Sequence, residues 1–363
     1  MNLTSSKKTL LLSGILLGIL AAVLAYFGNP KNMAICVACF IRDCAGAVKM
    51  HTAPVVQYFR PEVAGFVCGS FAIAVATKEY RSTAGSSPML RFILGVIMMI
   101  GSLAFLGCPL RMVIRMSAGD LNAYVGFIGF AAGVFTGTLA LKNGFSLGRA
   151  HETGKLNGAV LPVTLLILFV MSLTTALFAF SEKGPGSMHA PALLALVVSL
   201  IFGAIAQKCR TCFAGSIRDV ILMKNFDLIT VIGGLFLVML IFNLATGGFK
   251  LSFAGQPVAH SQHIWNILGL YAVGFAAVLA GGCPLRQLLL AGQGSSDSAV
   301  TFLGLLVGAA FCHNFGLAAS AAAAATAETP AVAGGLGMAG KVAVIGCIVV
   351  LFIIGFVPKL DDK

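Results

Sequence analysis

The chain has 363 residues, of which 58% are apolar and 10% charged. That composition excludes an ordinary water-soluble globular domain and makes the bilayer the natural solvent. The formal net charge of +12 does not indicate a nucleic-acid partner, because the basic residues are scattered over short loops instead of forming one tract.

Spanning the hydrocarbon as a helix takes about 20 mostly apolar residues, since each unpaired backbone group in lipid costs several kcal/mol. In chain order the runs of that kind are 9–27, 61–77, 92–108, 123–141, 159–180, 190–207, 228–247, 264–283, 298–316 and 339–357. The fold class expected is therefore an all-α integral membrane protein of about ten transmembrane helices. The first run follows Lys7 and Lys8 as a signal peptide would, but it is long and lacks a small-residue cleavage site, so it reads as a retained helix.

With the N-terminus inside, Lys7, Lys8, Lys78, Arg81, Arg91, Lys142, Arg149, Lys155, Lys208, Arg210, Arg218 and Lys224 fall on the cytoplasmic side, and Lys359 and Lys363 end there. The opposite loops 181–189, 248–262 and 317–337 hold only Lys183 and Lys250. The asymmetry predicts both termini inside.

Two short motifs recur in the same order. Cys36-x-x-Cys39-Phe40, followed by Ile41-Arg42-Asp43, is echoed by Cys209-x-x-Cys212-Phe213, followed by Ile217-Arg218-Asp219. Gly107-Cys108-Pro109-Leu110-Arg111 is echoed by Gly282-Cys283-Pro284-Leu285-Arg286. An internal repeat follows, with halves 1–180 and 181–363. Five spans per half is an odd number, so the second half enters the membrane inverted, and such proteins place the substrate near the midplane on interrupted helices. The stretches 33–50 and 208–224 are too short and polar to span, and are expected to form re-entrant segments buried in protein.

The Gly-Cys-Pro-Leu-Arg motif has clear mechanics. Proline favours the first position of a helix, so Cys108 and Cys283 stand at the N-cap beside free backbone N–H groups. A helix N-terminus attracts anions and activates a thiol. Arg111 and Arg286, one turn on, add positive potential, while Gly107 and Gly282 let the backbone bend or approach closely. The result is a sulfur-bearing anion site made twice.

The C-x-x-C pairs have spacing suited to zinc or thiol redox chemistry. An inverted repeat separates Cys36 and Cys39 from Cys209 and Cys212, so no shared metal is expected. A local disulfide is open to the outer pair. No C-x-x-C-H occurs, and no haem or other cofactor is expected. Cys44, Cys68, Cys312 and Cys347 read as packing residues. Asp43 and Asp219 are expected to pair with the arginines beside them or to cap helices. His51, His151, His189, His260, His263 and His313 show no ligand spacing, and the Gly/Ala-rich stretch 316–340 reads as a connection.

On Cys36-Val-Ala-Cys39-Phe-Ile-Arg-Asp43, Lys208-Cys209-Arg-Thr-Cys212 and the two Gly-Cys-Pro-Leu-Arg motifs, the sequence resembles the YeeE/YedE family of bacterial membrane proteins over nearly its whole length. It is most similar to the YedE branch associated with selenium metabolism. The resemblance implies an hourglass-shaped inner-membrane transporter, not an enzyme, in which central cysteines relay an anion inward by hydrogen bonds. On this chain the relay positions are Cys108 and Cys283, with Cys39 upstream and Cys212 or Cys347 as a further inner thiol. Cys36, Cys209, Arg42 and Arg218 become stations for reception and release. It also implies a TusA-like cytoplasmic sulfur-carrier protein as partner.

The expected cargo is a selenium-containing species imported for selenium metabolism, with thiosulfate or a related sulfur anion as the alternative. Polarizable sulfur or selenium suits a path of thiols. A transmembrane thiol oxidoreductase working through the C-x-x-C pairs is a third reading. An efflux or metal-ion channel is disfavoured by the scarcity of carboxylates within the spans.

Overall fold

A computed structural model of the chain describes residues 7–30, 32–323 and 332–357. Lys359, Lys363 and part of the Gly/Ala-rich stretch, residues 324–331, lie outside the described residues.

Every apolar run forms a helix, because only a helix satisfies its backbone within one segment. In chain order the long helices are α1 (Lys7–Tyr26), α3 (Pro61–Ala76), α4 (Pro88–Phe105), α6 (Leu121–Lys142) and α7 (Lys155–Thr174). They continue with α8 (Ala192–Lys208), α10 (Asp227–Ala245), α11 (His263–Leu279), α13 (Ser296–Asn314) and α14 (Met338–Phe356). Four short helices lie between them: α2 (Val37–Ala47), α5 (Pro109–Ser117), α9 (Phe213–Met223) and α12 (Pro284–Gln293). Among the described residues, nine helical stretches are long and apolar enough to cross a membrane. Three of these join a long helix to the short one after it, namely Pro88–Ser117, Ala192–Met223 and His263–Gln293, and α3 is a shorter apolar helix. The protein is an all-α, multi-pass membrane protein.

The order of long and short helices in α1–α7 recurs in α8–α14. Contacts recur too. Helix α3 packs along α8 as α10 packs along α1, and α6 along α11 as α13 along α4. Small residues bring the helices close, as in other membrane bundles: Gly95 of α4 and Gly304 of α13 lie against each other with no room for a Cβ on either.

The loops repeat the arrangement. After α3, Arg81 and Thr83 donate backbone N–H groups to the Gln293 and Gly294 carbonyls at 3.1 and 3.2 Å; after α10, Lys250 and Ser252 donate to Ala118 and Gly119 at 2.9 and 3.2 Å. Each half thus clasps the turn behind the other half's Gly-Cys-Pro-Leu-Arg helix. One pair departs from the pattern: α7 packs on α3 and α12, whereas α14 packs on α11 and α4.

Helices α4–α5 and α11–α12 form the buried centre, while α7, α10 and α14 are mostly exposed. Their outward residues, such as Leu166, Ile167, Leu237, Ile241, Ile345 and Val349, are the apolar surface that lipid covers.

Candidate functional site

All four short helices begin at a cysteine. Cys36 caps α2 and its sulfur accepts the Cys39 N–H at 3.5 Å; Cys212 caps α9 and accepts the Gly215 N–H at 3.2 Å. Cys108 and Cys283 cap α5 and α12 with proline as the first helical residue, as the motif predicts.

The four caps meet two by two. In the first half the Cys36 sulfur lies 3.0 Å from that of Cys39 and 3.8 Å from that of Cys108, and the Cys108 thiol also touches the Ala38 N–H. In the second half Cys212 and Cys283 are hydrogen-bonded through their thiols, and Cys283 touches the Phe213 N–H. Each site is therefore a pair of helix N-termini facing each other across a pair of thiols. Backbone N–H groups, several of them donating to the thiols, and the positive ends of two helix dipoles converge there. All ten cysteines are free; eight are buried, while Cys68 and Cys209 are half-buried.

This geometry corrects the register in which the two C-x-x-C pairs were aligned. The partner of Cys36 is Cys212, not Cys209: Cys36-x-Ala38-x-x-Ile41-Arg42-Asp43 superposes without a gap on Cys212-x-Ala214-x-x-Ile217-Arg218-Asp219. Both are N-caps, and the counterpart of Cys39 is Gly215. The C-x-x-C spacing misled because Cys209 precedes the helix instead of capping it; it ends α8. The first site thus holds three thiols and the second two.

The glycine of each motif makes room for the arginine. A Cβ at Gly107 would stand 2.7 Å from Arg111 Cδ, and one at Gly282 would stand 2.6 Å from Arg286 Cγ. Each arginine folds back over the start of its own helix, after a left-handed residue at Leu106 (φ 63°) or Gly281 (φ 81°). Arg111 is fully buried. Its Nε donates to the Asn32 carbonyl at 3.0 Å, one terminal nitrogen donates to the Leu106 carbonyl and contacts Cys39 Sγ at 3.5 Å, and the other donates to the Val258 carbonyl at 3.1 Å. Arg286 is partly exposed and donates to Gln207 Oε1 at 3.0 Å.

Among the described residues, neither arginine has a carboxylate within ion-pair distance. Burying a charge without a counter-charge is expensive. An anion brought between the helix ends would supply it.

The other residues singled out in the sequence fall elsewhere. Arg42 pairs with Asp43 at 2.6 Å, Asp43 also pairs with Arg60 at 2.8 Å, and all three are buried. Arg42 is therefore held inside a closed triad and does not stand at a mouth. Arg60, missed in the sequence, anchors the segment before α8 by donating to the Pro185 and Met188 carbonyls.

Arg218 pairs with Asp219 at 2.8 Å in a partly exposed position. Cys209 sits beside Lys208, which pairs with Glu79 at 3.1 Å. Cys44 is tied to the Arg60 backbone and Cys68 to the Pro162 carbonyl, while Cys312 and Cys347 lie in the apolar core. Among the described residues, no group of three or more His, Cys, Asp and Glu is arranged to hold a metal ion.

Known proteins bear on what passes between these caps. Residues 208–361 match the family model for sulphur transport. The matched stretch holds Cys212, Cys283 and Arg286, the whole of the second site. A 113-residue stretch is 32% identical to the thiosulfate transporter TsuA of Spirochaeta thermophila, covering 30% of this chain and 33% of that relative. The match thus spans about a third of the relative's length. The similarity to sulphur transport thus falls on the second half of a multi-pass membrane protein.

Proposed function

We propose that this chain is a bacterial inner-membrane transporter that imports a sulfur oxyanion of the thiosulfate type, passing it from one thiol pair to the other. The observation that carries the reading is the doubled site: two facing helix N-termini, two thiols and an arginine without a carboxylate partner. Backbone N–H groups and the arginine suit the charged oxygen end of such an anion. The thiols suit its terminal sulfur, which is soft and accepts S–H hydrogen bonds. An inverted repeat would set the Cys36/Cys108 site towards the outside and the Cys212/Cys283 site towards the cytoplasm.

The match to sulphur transport and the likeness to a thiosulfate transporter support sulfur over the selenium cargo that the family resemblance implies. On the cytoplasmic side, Lys208, Arg210 and Lys224 are exposed around the half-buried Cys209. That basic rim suits an acidic TusA-like sulfur carrier that collects the anion.

The test is uptake of labelled thiosulfate, selenite and selenide into proteoliposomes holding the purified chain. Thiosulfate uptake above that of empty vesicles, with weaker uptake of both selenium species, is the expected result. Selenium uptake without thiosulfate uptake would return the cargo to selenium, and no uptake of any label would overturn the transporter reading.

A further inference from the structure

Next to Arg111 of the first site lies a residue whose buried amide has no partner among the described residues. Asn32, in the segment between α1 and α2, takes the left-handed conformation (φ 66°) and is 7% exposed. Its backbone carbonyl accepts the Arg111 Nε–H at 3.0 Å, yet among the described residues neither Oδ1 nor Nδ2 of its side chain has a hydrogen-bond partner. Buried amides are nearly always satisfied, so an orphan calls for a ligand or another partner. Its neighbour Arg111 is hydrogen-bonded but, among the described residues, has no counter-charge. Arg111 spends its donors on backbone carbonyls and on Cys39 Sγ, with no carboxylate to balance its charge.

Asymmetry sharpens the point. In the ungapped register that aligns Cys36 with Cys212, Asn32 falls on Lys208 and Cys39 on Gly215. Lys208 is exposed and engaged by Glu79. The second site therefore has neither a buried amide nor a third thiol at these positions.

We infer that Asn32 and Arg111 form an oxyanion subsite in which the Asn32 amide donates to the oxygens of a thio-oxyanion while the Cys36, Cys39 and Cys108 thiols meet its terminal sulfur. The inference rests on the reading of the chain as a sulfur-oxyanion transporter and assigns its selectivity to the first site. A ligand carrying both a hard oxyanion end and a soft sulfur end fills both parts. Hydrogen sulfide, which has no oxygens, uses the thiols alone.

The experiment compares the purified wild type with Asn32→Leu, Asn32→Gly and Asn32→Asp. It measures thermal stability without ligand, the stabilisation given by thiosulfate and by sulfide, and the KM of thiosulfate uptake. With the amide unpaired, leucine should lower the unliganded melting temperature only by the strain it meets in a left-handed backbone that asparagine tolerates, so that Asn32→Gly, which relieves that strain, should be as stable as Asn32→Leu or more so; a structural amide would make both variants clearly unstable. The KM of Asn32→Leu for thiosulfate should rise about ten-fold or more, the loss of one hydrogen bond to a charged group, while the response to sulfide stays unchanged. Asn32→Asp, which sets a carboxylate where the anion binds, should abolish thiosulfate binding.

A thiosulfate KM within about two-fold of wild type in both Asn32→Leu and Asn32→Asp would overturn the subsite, as would an equal loss of sulfide and thiosulfate binding. A wild type that binds thiosulfate without carrying it would defeat the transport reading, and the binding arm would still decide Asn32. A wild type that neither binds nor carries it would overturn both.

Discussion

The two cysteine-capped sites share a motif and differ in their surroundings. Around the first, Arg111, Arg115, Asp120, Arg42, Asp43 and Arg60 are all buried and, Arg111 apart, locked in ion pairs. Around the second, Arg286, Arg218 and Asp219 are partly exposed, and the positions matching Arg115 and Asp120 are Leu290 and Ser295. The thiols are buried in both halves, but the charges around them are sealed in the first and reach the surface in the second. The repeat keeps the facing helix ends, while the closure of the charges around them differs between the halves.

The largest effect that would break this comparison is at the two arginines. Arg111→Met leaves the Asn32, Leu106 and Val258 carbonyls without their donor, so it should cost about 3 kcal/mol or more of stability and abolish uptake. Arg286→Met loses one hydrogen bond in a partly exposed setting and should cost about 1 kcal/mol. Thermal denaturation of both variants in the same detergent reads the difference, and equal losses would contradict the assignment of closed and open sites.

Next in size is the ion pair Arg115–Asp120, with Nε 2.7 Å from the carboxylate and the guanidinium 4.1 Å over the Phe105 ring. Arg115→Leu alone strands a buried carboxylate and should destabilise by about 3–5 kcal/mol. The double variant Arg115→Leu with Asp120→Ser copies the second half and should return to within about 1 kcal/mol of wild type. A double variant as unstable as the single one would show that the two halves are not interchangeable here.

Glycine gives a smaller contrast. Gly107→Ala pushes a methyl group into the pinned Arg111 side chain and should cost about 1–3 kcal/mol. A methyl group at Gly282 would stand 2.6 and 2.8 Å from Cγ and Cβ of Arg286, close to its backbone, and should cost as much. A clearly smaller loss of melting temperature for Gly282→Ala would show that Arg286 yields where Arg111 does not. The smallest test is chemical: in the folded protein Cys209, half-buried, should react with a polar maleimide at least about ten times faster than the fully buried Cys36 and Cys39. Mass spectrometry of the labelled peptides reads that ratio.

Much of the fold was legible because hydropathy is a long-window signal. Each of the ten apolar runs coincides with a helix, and Pro109 and Pro284 announced that Cys108 and Cys283 would be N-caps. The partnership of Cys36 with Cys212 was not read, because the equal C-x-x-C spacings at Cys36 and Cys209 drew attention from the ungapped Ile-Arg-Asp match that follows. Arg42, expected to serve reception or release, is enclosed by Asp43 and the distant Arg60, which nothing local in the sequence shows. Asn32 carries no sequence signal at all. Its significance is that its amide has no partner among the described residues, and only three-dimensional structure can show that.

The most direct test of the central claim is labelled thiosulfate uptake by Cys108→Ser and Cys283→Ser, with surface expression matched to wild type. Serine keeps the N-cap and the helix dipole and removes only the sulfur. If the anion moves between thiols, uptake falls about a hundred-fold in each variant, a cost of about 2.7 kcal/mol at either step. Uptake within about two-fold of wild type in both variants would contradict the thiol path and leave the helix N-termini and arginines as the whole of the conducting site.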